Sequence, residues 1–183
     1  TTLDGINILM NNTTNGMNFF QTARSSTIKN LWIFGGDSTR AAVNQNRLFG
    51  TNTFDHVTFA GNHFTLSNSD NTTAVITNSI IALNTDFGLA VSGSNPSSIS
   101  FSDIFGNSPN FSPDQATAAQ DAGGNLGVFG NGGGLDPLFA SLDPNNANFL
   151  WLQNISPAAG SANTVGSRTN GEFNMGALPS IPE

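Results

Sequence analysis

Apolar residues between positions 3 and 107 follow a spacing that is neither helical nor simply alternating. Five segments share it when aligned on an apolar opening residue: LDGINILMN (3–11), IKNLWIFGG (28–36), FDHVTFAGN (54–62), ITNSIIALN (76–84) and ISFSDIFGN (99–107). Their starts lie 25, 26, 22 and 23 residues apart. The first position is always apolar (Leu3, Ile28, Phe54, Ile76, Ile99), and so is the sixth (Ile8, Ile33, Phe59, Ile81, Ile104). The ninth is Asn11, Gly36, Asn62, Asn84 and Asn107.

A repeat of this period means a solenoid, a propeller or an array. The units are β-branched and aromatic and lack an i, i+3, i+4 stripe, so they predict strands. A propeller blade needs ~40 residues or more, which leaves a parallel β-solenoid coil. The third position holds Gly5, Asn30, His56, Asn78 and Phe101. All but Phe101 are types that tolerate the left-handed backbone region. One such residue bends the strand and shifts its alternation. Positions one, four and six then point inward, while two and five point out.

Position four reads Ile6, Leu31, Val57, Ser79 and Ser102, so the interior turns more polar toward the later coils. Stacked Asn at position nine can hydrogen-bond from coil to coil at the strand spacing of ~4.8 Å. MNFF (17–20), RLFG (47–50), HFTL (63–66) and GLAV (88–91) predict the other faces of the coils.

After Asn107 the pattern stops. SPDQATAAQDAGG (112–124) predicts a short helix, with Ser112 as N-cap, Pro113 at the first helical position, Gln115 completing a capping box and Gly123 past the end. The expected organisation is one all-β domain, with β-helix coils over 1–111 and a C-terminal capping region over 112–183.

Composition narrows the function. The chain has 183 residues, five Lys plus Arg against twelve Asp plus Glu, and a net charge of −7. Five scattered cations cannot clamp a phosphate backbone, so nucleic acid is excluded as a partner. No apolar run approaches the ~20 residues that span a bilayer, so no membrane insertion is expected. A hydrophobic fraction of 37% with 15 Phe argues for a packed core rather than a disordered chain. Without Cys, disulfides and thiolate chemistry are excluded. TTLDGINI opens without Met or a signal peptide, as in a mature product or a fragment.

The segment GGLDPLFASLDPNNANFLWLQNISPAAGSA (133–162), followed by NMGAL (174–178), resembles the C-terminal end of secreted bacterial right-handed parallel β-helix proteins. Asp136-Pro137-Leu138-Phe139 and Ser156-Pro157-Ala158 carry the likeness, together with TNSIIALN and ISFSDIFGN in the coils. The resemblance implies a right-handed, pectate-lyase-like β-helix of about five or more coils, secreted or held at the cell surface. It does not imply lyase activity, because a shared superfold hosts unrelated functions.

Several residues are candidates for chemistry. Asp4, Lys29 and Asp55 stack at the outward second position. Asp4 and Asp55 would lie ~10 Å apart, near the upper limit for an inverting carboxylate pair. The same three residues also make an alternating-charge ladder on a solvated face, which is worth little. Trp32, at the outward fifth position with Asn7, Thr58, Ile80 and Asp103, offers a platform for a sugar ring or a surface covered by a loop or another subunit.

By the same likeness, polysaccharide lyases of this superfold need a base and acidic residues that hold calcium. Asp37 with Arg40, and Asp86 with Asp103, are the candidates here. His56 and His63 lack a third ligand at metal spacing, so no metal site is assigned. Glycosylation sequons occur at Asn11, Asn12, Asn71, Asn110 and Asn154, in a chain with 26 Asn.

The expectation is a non-enzymatic structural or adhesive module, with no cofactor, that stacks head to tail on itself or on a preceding domain. The first coil begins near residue 1, and a bare β-helix end is a template for pairing. The alternatives are a polysaccharide lyase or glycoside hydrolase, with calcium, and a glycan-binding module centred on Trp32.

Overall fold

A computed structural model describes residues 2–10, 17–20, 25–36, 41–46, 50–69, 72–92, 97–111, 119–130, 133–162 and 174–176. Thirteen strands form among them: β1 (Thr2–Asp4), β2 (Asn7–Leu9), β3 (Met17–Phe20), β4 (Ser26–Phe34), β5 (Ala41–Asn46), β6 (Gly50–Ala60), β7 (Phe64–Ser69), β8 (Thr72–Thr77), β9 (Ile80–Ala82), β10 (Leu89–Ser92), β11 (Ser97–Ser100), β12 (Asp103–Phe105) and β13 (Ala119–Asp121). They build a parallel β-solenoid. One sheet stacks β1, β4, β6, β8, β11 and β13 in that order, and a second stacks β3, β5, β7 and β10.

The repeat alignment is the register of the first sheet. Leu3 pairs with Ile28, Ile28 with Phe54, Phe54 with Ile76, and Ile99 with Ile76. At position six Ile8 pairs with Ile33, Ile33 with Phe59, Phe59 with Ile81, and Ile104 with Ile81. Like side chains therefore stack on like, in columns running along the solenoid axis. Ile28, Phe54, Ile76, Ile99, Ile33 and Ile81 are fully buried in one continuous core with Val43 and Leu89.

Position three bends every strand. Gly5, Asn30, His56, Asn78 and Phe101 have φ of 71°, 52°, 51°, 52° and 47°. Phe101 adopts the same left-handed geometry as the other four, although a bulky side chain there is strained. Its ring packs over Gly124 and beside Leu126, and that burial offsets the strain. The bend lets position four turn inward, so Leu31, Val57, Ser79 and Ser102 are all buried.

The two serines make the polar part of the core consistent with burial. Ser79 Oγ accepts from Val57 N at 3.2 Å and donates to Thr77 O at 2.6 Å. Ser102 Oγ does the same with Ser79 N at 3.1 Å and Ser100 O at 2.8 Å, and Asn125 Oδ1 accepts from Ser102 N at 3.0 Å. Each hydroxyl thus closes the backbone gap that the bend opens in the preceding rung. Ser79→Ala should lower stability by ~1–3 kcal/mol by orphaning Val57 N. A urea midpoint unchanged from the parent would show that the hydroxyl column is dispensable.

Two expectations need correction. Residues 119–121 are strand β13, paired with β11 through Ser97↔Ala119, Ser98↔Gln120 and Ile99↔Asp121, where a helix over 112–124 was expected. Residues 112–118 lie outside the described set. Helix propensity is worth only tenths of a kcal/mol per residue, less than satisfying the open edge of β11. The repeat therefore continues past Asn107 in degenerate form: Phe101 N donates to Gly123 O, and Leu126 N to Ser102 O.

The second correction concerns the other sheet. MNFF, HFTL and GLAV fall on β3, β7 and β10, but the strand between β3 and β7 is AAVNQN (41–46); of RLFG, residues 47–49 lie outside the described set and Gly50 opens β6. Val43 stacks between Met17 and Leu66 in the register, and it is the buried apolar residue that fixes this strand's phase. Of the coils, expected at five or more, about three turns are described, through 50–69, 72–92 and 97–111.

Candidate functional site

The C-terminal segment decides which outward residues are accessible. Its two short pairings, Phe139↔Leu152 and Ser141↔Phe149, make a compact flap. Ser156 Oγ donates to Pro137 O at 2.6 Å and ties the flap's two ends together. Phe149, Leu150, Leu152, Ala158, Ala162 and Met175 are buried against the solenoid flank. Gly176 N donates to Asn78 O at 2.8 Å, and a Cβ at Gly176 would lie 2.6 Å from Thr58 Oγ1.

Position five is consequently covered by the chain's own flap from Trp32 onward, while Asn7 stays exposed. Thr58, Ile80 and Asp103 are 1%, 1% and 0% exposed, although they point away from the coil axis. Trp32 is partly buried, edge-on to Phe149 at 5.2 Å and 82°, and Phe34 meets the same ring at 4.8 Å and 89°. The consecutive Ile80-Ile81-Ala82 was the sequence signal for this cover. Adjacent residues of a strand face opposite ways, so a continuous apolar run is buried on both sides.

Position two remains open and polar. Lys29 Nζ lies 3.1 Å from Asp4 Oδ2, with both side chains nearly half exposed. Asn30 Nδ2 donates to Asp4 Oδ1 at 2.7 Å, and Asn78 Nδ2 to Asp55 Oδ1 at 2.8 Å. Lys29 and Asp55 are register partners. The bend amides thus lean back onto the acids of the preceding rung, and the charges alternate down the stripe. Such an exposed, solvated pair contributes ~0–1 kcal/mol.

The histidines sit apart from one another. His56 is 4% exposed, with Nδ1 2.9 Å from Asp55 Oδ1, while its Nε2 has no hydrogen-bond partner. This Asp–His arrangement has the geometry of an oriented base, but Nε2 is sealed from solvent. His63 Nε2 lies 3.4 Å from Asp86 Oδ2. Among the described residues no three His, Asp or Glu converge at a metal-binding spacing.

Asp103 is a strongly perturbed acid. It is 0% exposed; Oδ1 accepts from Leu135 N at 3.1 Å, and Oδ2 has no partner. Burial raises its pKa from 3.8 to about 7; the Leu135 hydrogen bond opposes that, and the charge of Asp136 adds to it. Asp86 instead pairs with His63, away from Asp103. Asp37 and Arg40 lie outside the described residues.

Of the sequons, Asn11, Asn12 and Asn71 also lie outside the described residues. Asn154 is exposed. Asn110 is 3% exposed, and its Nδ2 donates to Ile104 O and Gly130 O, both at 3.0 Å. A glycan on that nitrogen would have to displace both bonds.

The fold defines the class: a parallel β-solenoid with a lateral C-terminal flap. Comparison with protein-family models, with curated proteins and with solved structures gives no match. The likeness to secreted right-handed β-helix proteins is therefore carried by the sequence motifs alone.

Proposed function

We propose that this chain is a structural or adhesive β-solenoid module of extracellular material, which associates with further solenoid rungs through its first one. The supporting observation is the state of that rung. Among the described residues, β1 and β2 pair with β4 alone. No other described strand lies along their second edge, and Ile6 and Leu9 beside it are 39% and 44% exposed. An open, apolar strand edge is a template for another strand.

The occupant proposed is a second copy. At the opposite end of the same parallel sheet, β13 has β11 as its one strand partner among the described residues. An end-to-end contact between β13 of one copy and β1 of the next preserves strand direction. Such a heterologous contact does not close, so it propagates as a fibre.

Negative-stain electron microscopy over a concentration series tests this. Filaments with an axial repeat of ~30 Å, from six strands at ~4.8 Å, are expected. Ile6→Lys, which places a charge in the contact, should abolish them. Monodisperse particles at every concentration would sink self-stacking. The polar position-two stripe, with Asp4 and Lys29 side chains 49% and 40% exposed, supports a second reading, a glycan-binding flank. Titration with acidic polysaccharides tests that reading separately.

A further inference from the structure

A fully buried carboxyl sits where the flap joins the solenoid. Asp103 belongs to β12, and its backbone N donates to Ser79 O at 2.8 Å, so the rung holds it firmly. Gly134 passes so close over it that a Cβ there would overlap the Ile104 carbonyl and lie 2.6 Å from Asp103 Oδ1. The next residue, Leu135, supplies the N–H that Asp103 Oδ1 accepts, and Asp103 Oδ2 faces no donor. A buried carboxylate oxygen without a donor is costly when charged and far less so when protonated.

We propose that Asp103 is a pH-responsive latch, which holds the strap Gly133–Asp136 on the last rungs while neutral and loosens it when ionised. The described surroundings favour the neutral form. Its neighbours in sequence are Ser102 and Ile104, and its register neighbour on β9 is Ile80, none of them charged. The strap contributes Gly134, Leu135 and the acidic Asp136, whose charge acts against ionisation. Among the described residues named here there is no cation.

The sign follows from linkage. A carboxyl whose folded pKa is raised binds more protons docked than free, so docking is strongest below pH ~4 and weakens as pH rises to about 7. Above that the penalty is constant. A shift from 3.8 to about 7 corresponds to a change in the docking equilibrium of up to about a thousandfold.

The function of such a device is regulation of surface. Loosening the strap would let the flap lift from Ile80, Ala82 and Phe105, and so expose an apolar flank at neutral and higher pH. This inference stands whether or not the chains stack end to end, since it concerns a lateral face.

Hydrogen exchange on the whole chain, corrected for intrinsic rates, tests it at pH 4.5 and 8.5. Peptides covering 133–142 should lose protection by at least about tenfold at the higher pH, while peptides covering 54–60 hold theirs. Asp103→Asn should make the strap's protection independent of pH. Asp136→Asn, at an exposed position, should reduce the dependence without removing it. Equal protection of the strap at both pH values, loss of strap and sheet together, or full pH dependence in either variant would overturn the proposal.

Discussion

Phe59→Ala is expected to destabilise the protein by ~3–5 kcal/mol, the largest effect of any single side-chain truncation in the solenoid. Phe59 is 1% exposed and stacks between Ile33 and Ile81 in the register. It also meets Phe54 edge-on, with ring centroids 6.1 Å apart at 70°. A globular core can collapse partly around a lost side chain. Here the rungs above and below are held at fixed spacing by continuous backbone ladders, so the cavity stays open. The measurement is a urea unfolding curve, read as a midpoint shift at constant slope. A loss under ~1 kcal/mol would show that the column is loosely packed.

Asn62→Ala should cost ~2–5 kcal/mol, although it removes no apolar contact of note. Asn62 is fully buried. Its Oδ1 accepts from Gly36 N at 3.2 Å and its Nδ2 donates to Ile33 O at 3.0 Å. The column continues as Asn62 N to Asn84 Oδ1 at 2.9 Å, Asn84 N to Asn107 Oδ1 at 3.1 Å, and Asn107 N to Asn110 Oδ1 at 3.2 Å. The amides of Asn62, Asn84 and Asn107 each bond the rung before, while Asn110 closes the last turn within its own rung. Alanine would orphan two buried backbone groups at ~1–3 kcal/mol each. Asn62→Asp would not rescue, since it keeps the acceptor but loses the donor and buries a charge. Asn154→Ala, on an exposed residue, is the control and should stay within ~0.5 kcal/mol of the parent. Equal midpoints for Asn62→Ala and the control would refute the role of the amide column.

These two residues also mark how far the chain was readable before its structure. Phe59 and Asn62 recur at fixed places in a repeat, and a parallel coil puts equal positions on top of one another. Position alone therefore revealed the stacking, the inward side chains and the amide column. The bend was legible from Gly5, Asn30, His56 and Asn78 for the same reason, because few residue types accept that backbone. Phe101 was not, because its strain is met by packing against Gly124, a residue more than twenty positions away.

The flap was recognised as a segment, but its place was hidden. Segment 133–162 has no repeat to align, and its partners Trp32, Ala60 and Ile80 lie on different rungs. Only the run Ile80-Ile81-Ala82 hinted that a nominally outward face was covered. The helix expected over 112–124 failed at 119–121 because its local signals competed with an unpaired strand edge elsewhere in the chain.

Asp103 shows the same division most clearly. In sequence it is one outward residue among the five at position five, with nothing local to mark it as buried. Its burial, its orphaned oxygen and its bond to Leu135 N exist only because the strap crosses that rung. The amino-acid sequence by itself determined the solenoid, its register and its inner columns, since each depends on residues repeated at a constant spacing. Tertiary structure alone decided which outer face is sealed and which acid is buried, since those depend on where a non-repeating segment comes to rest.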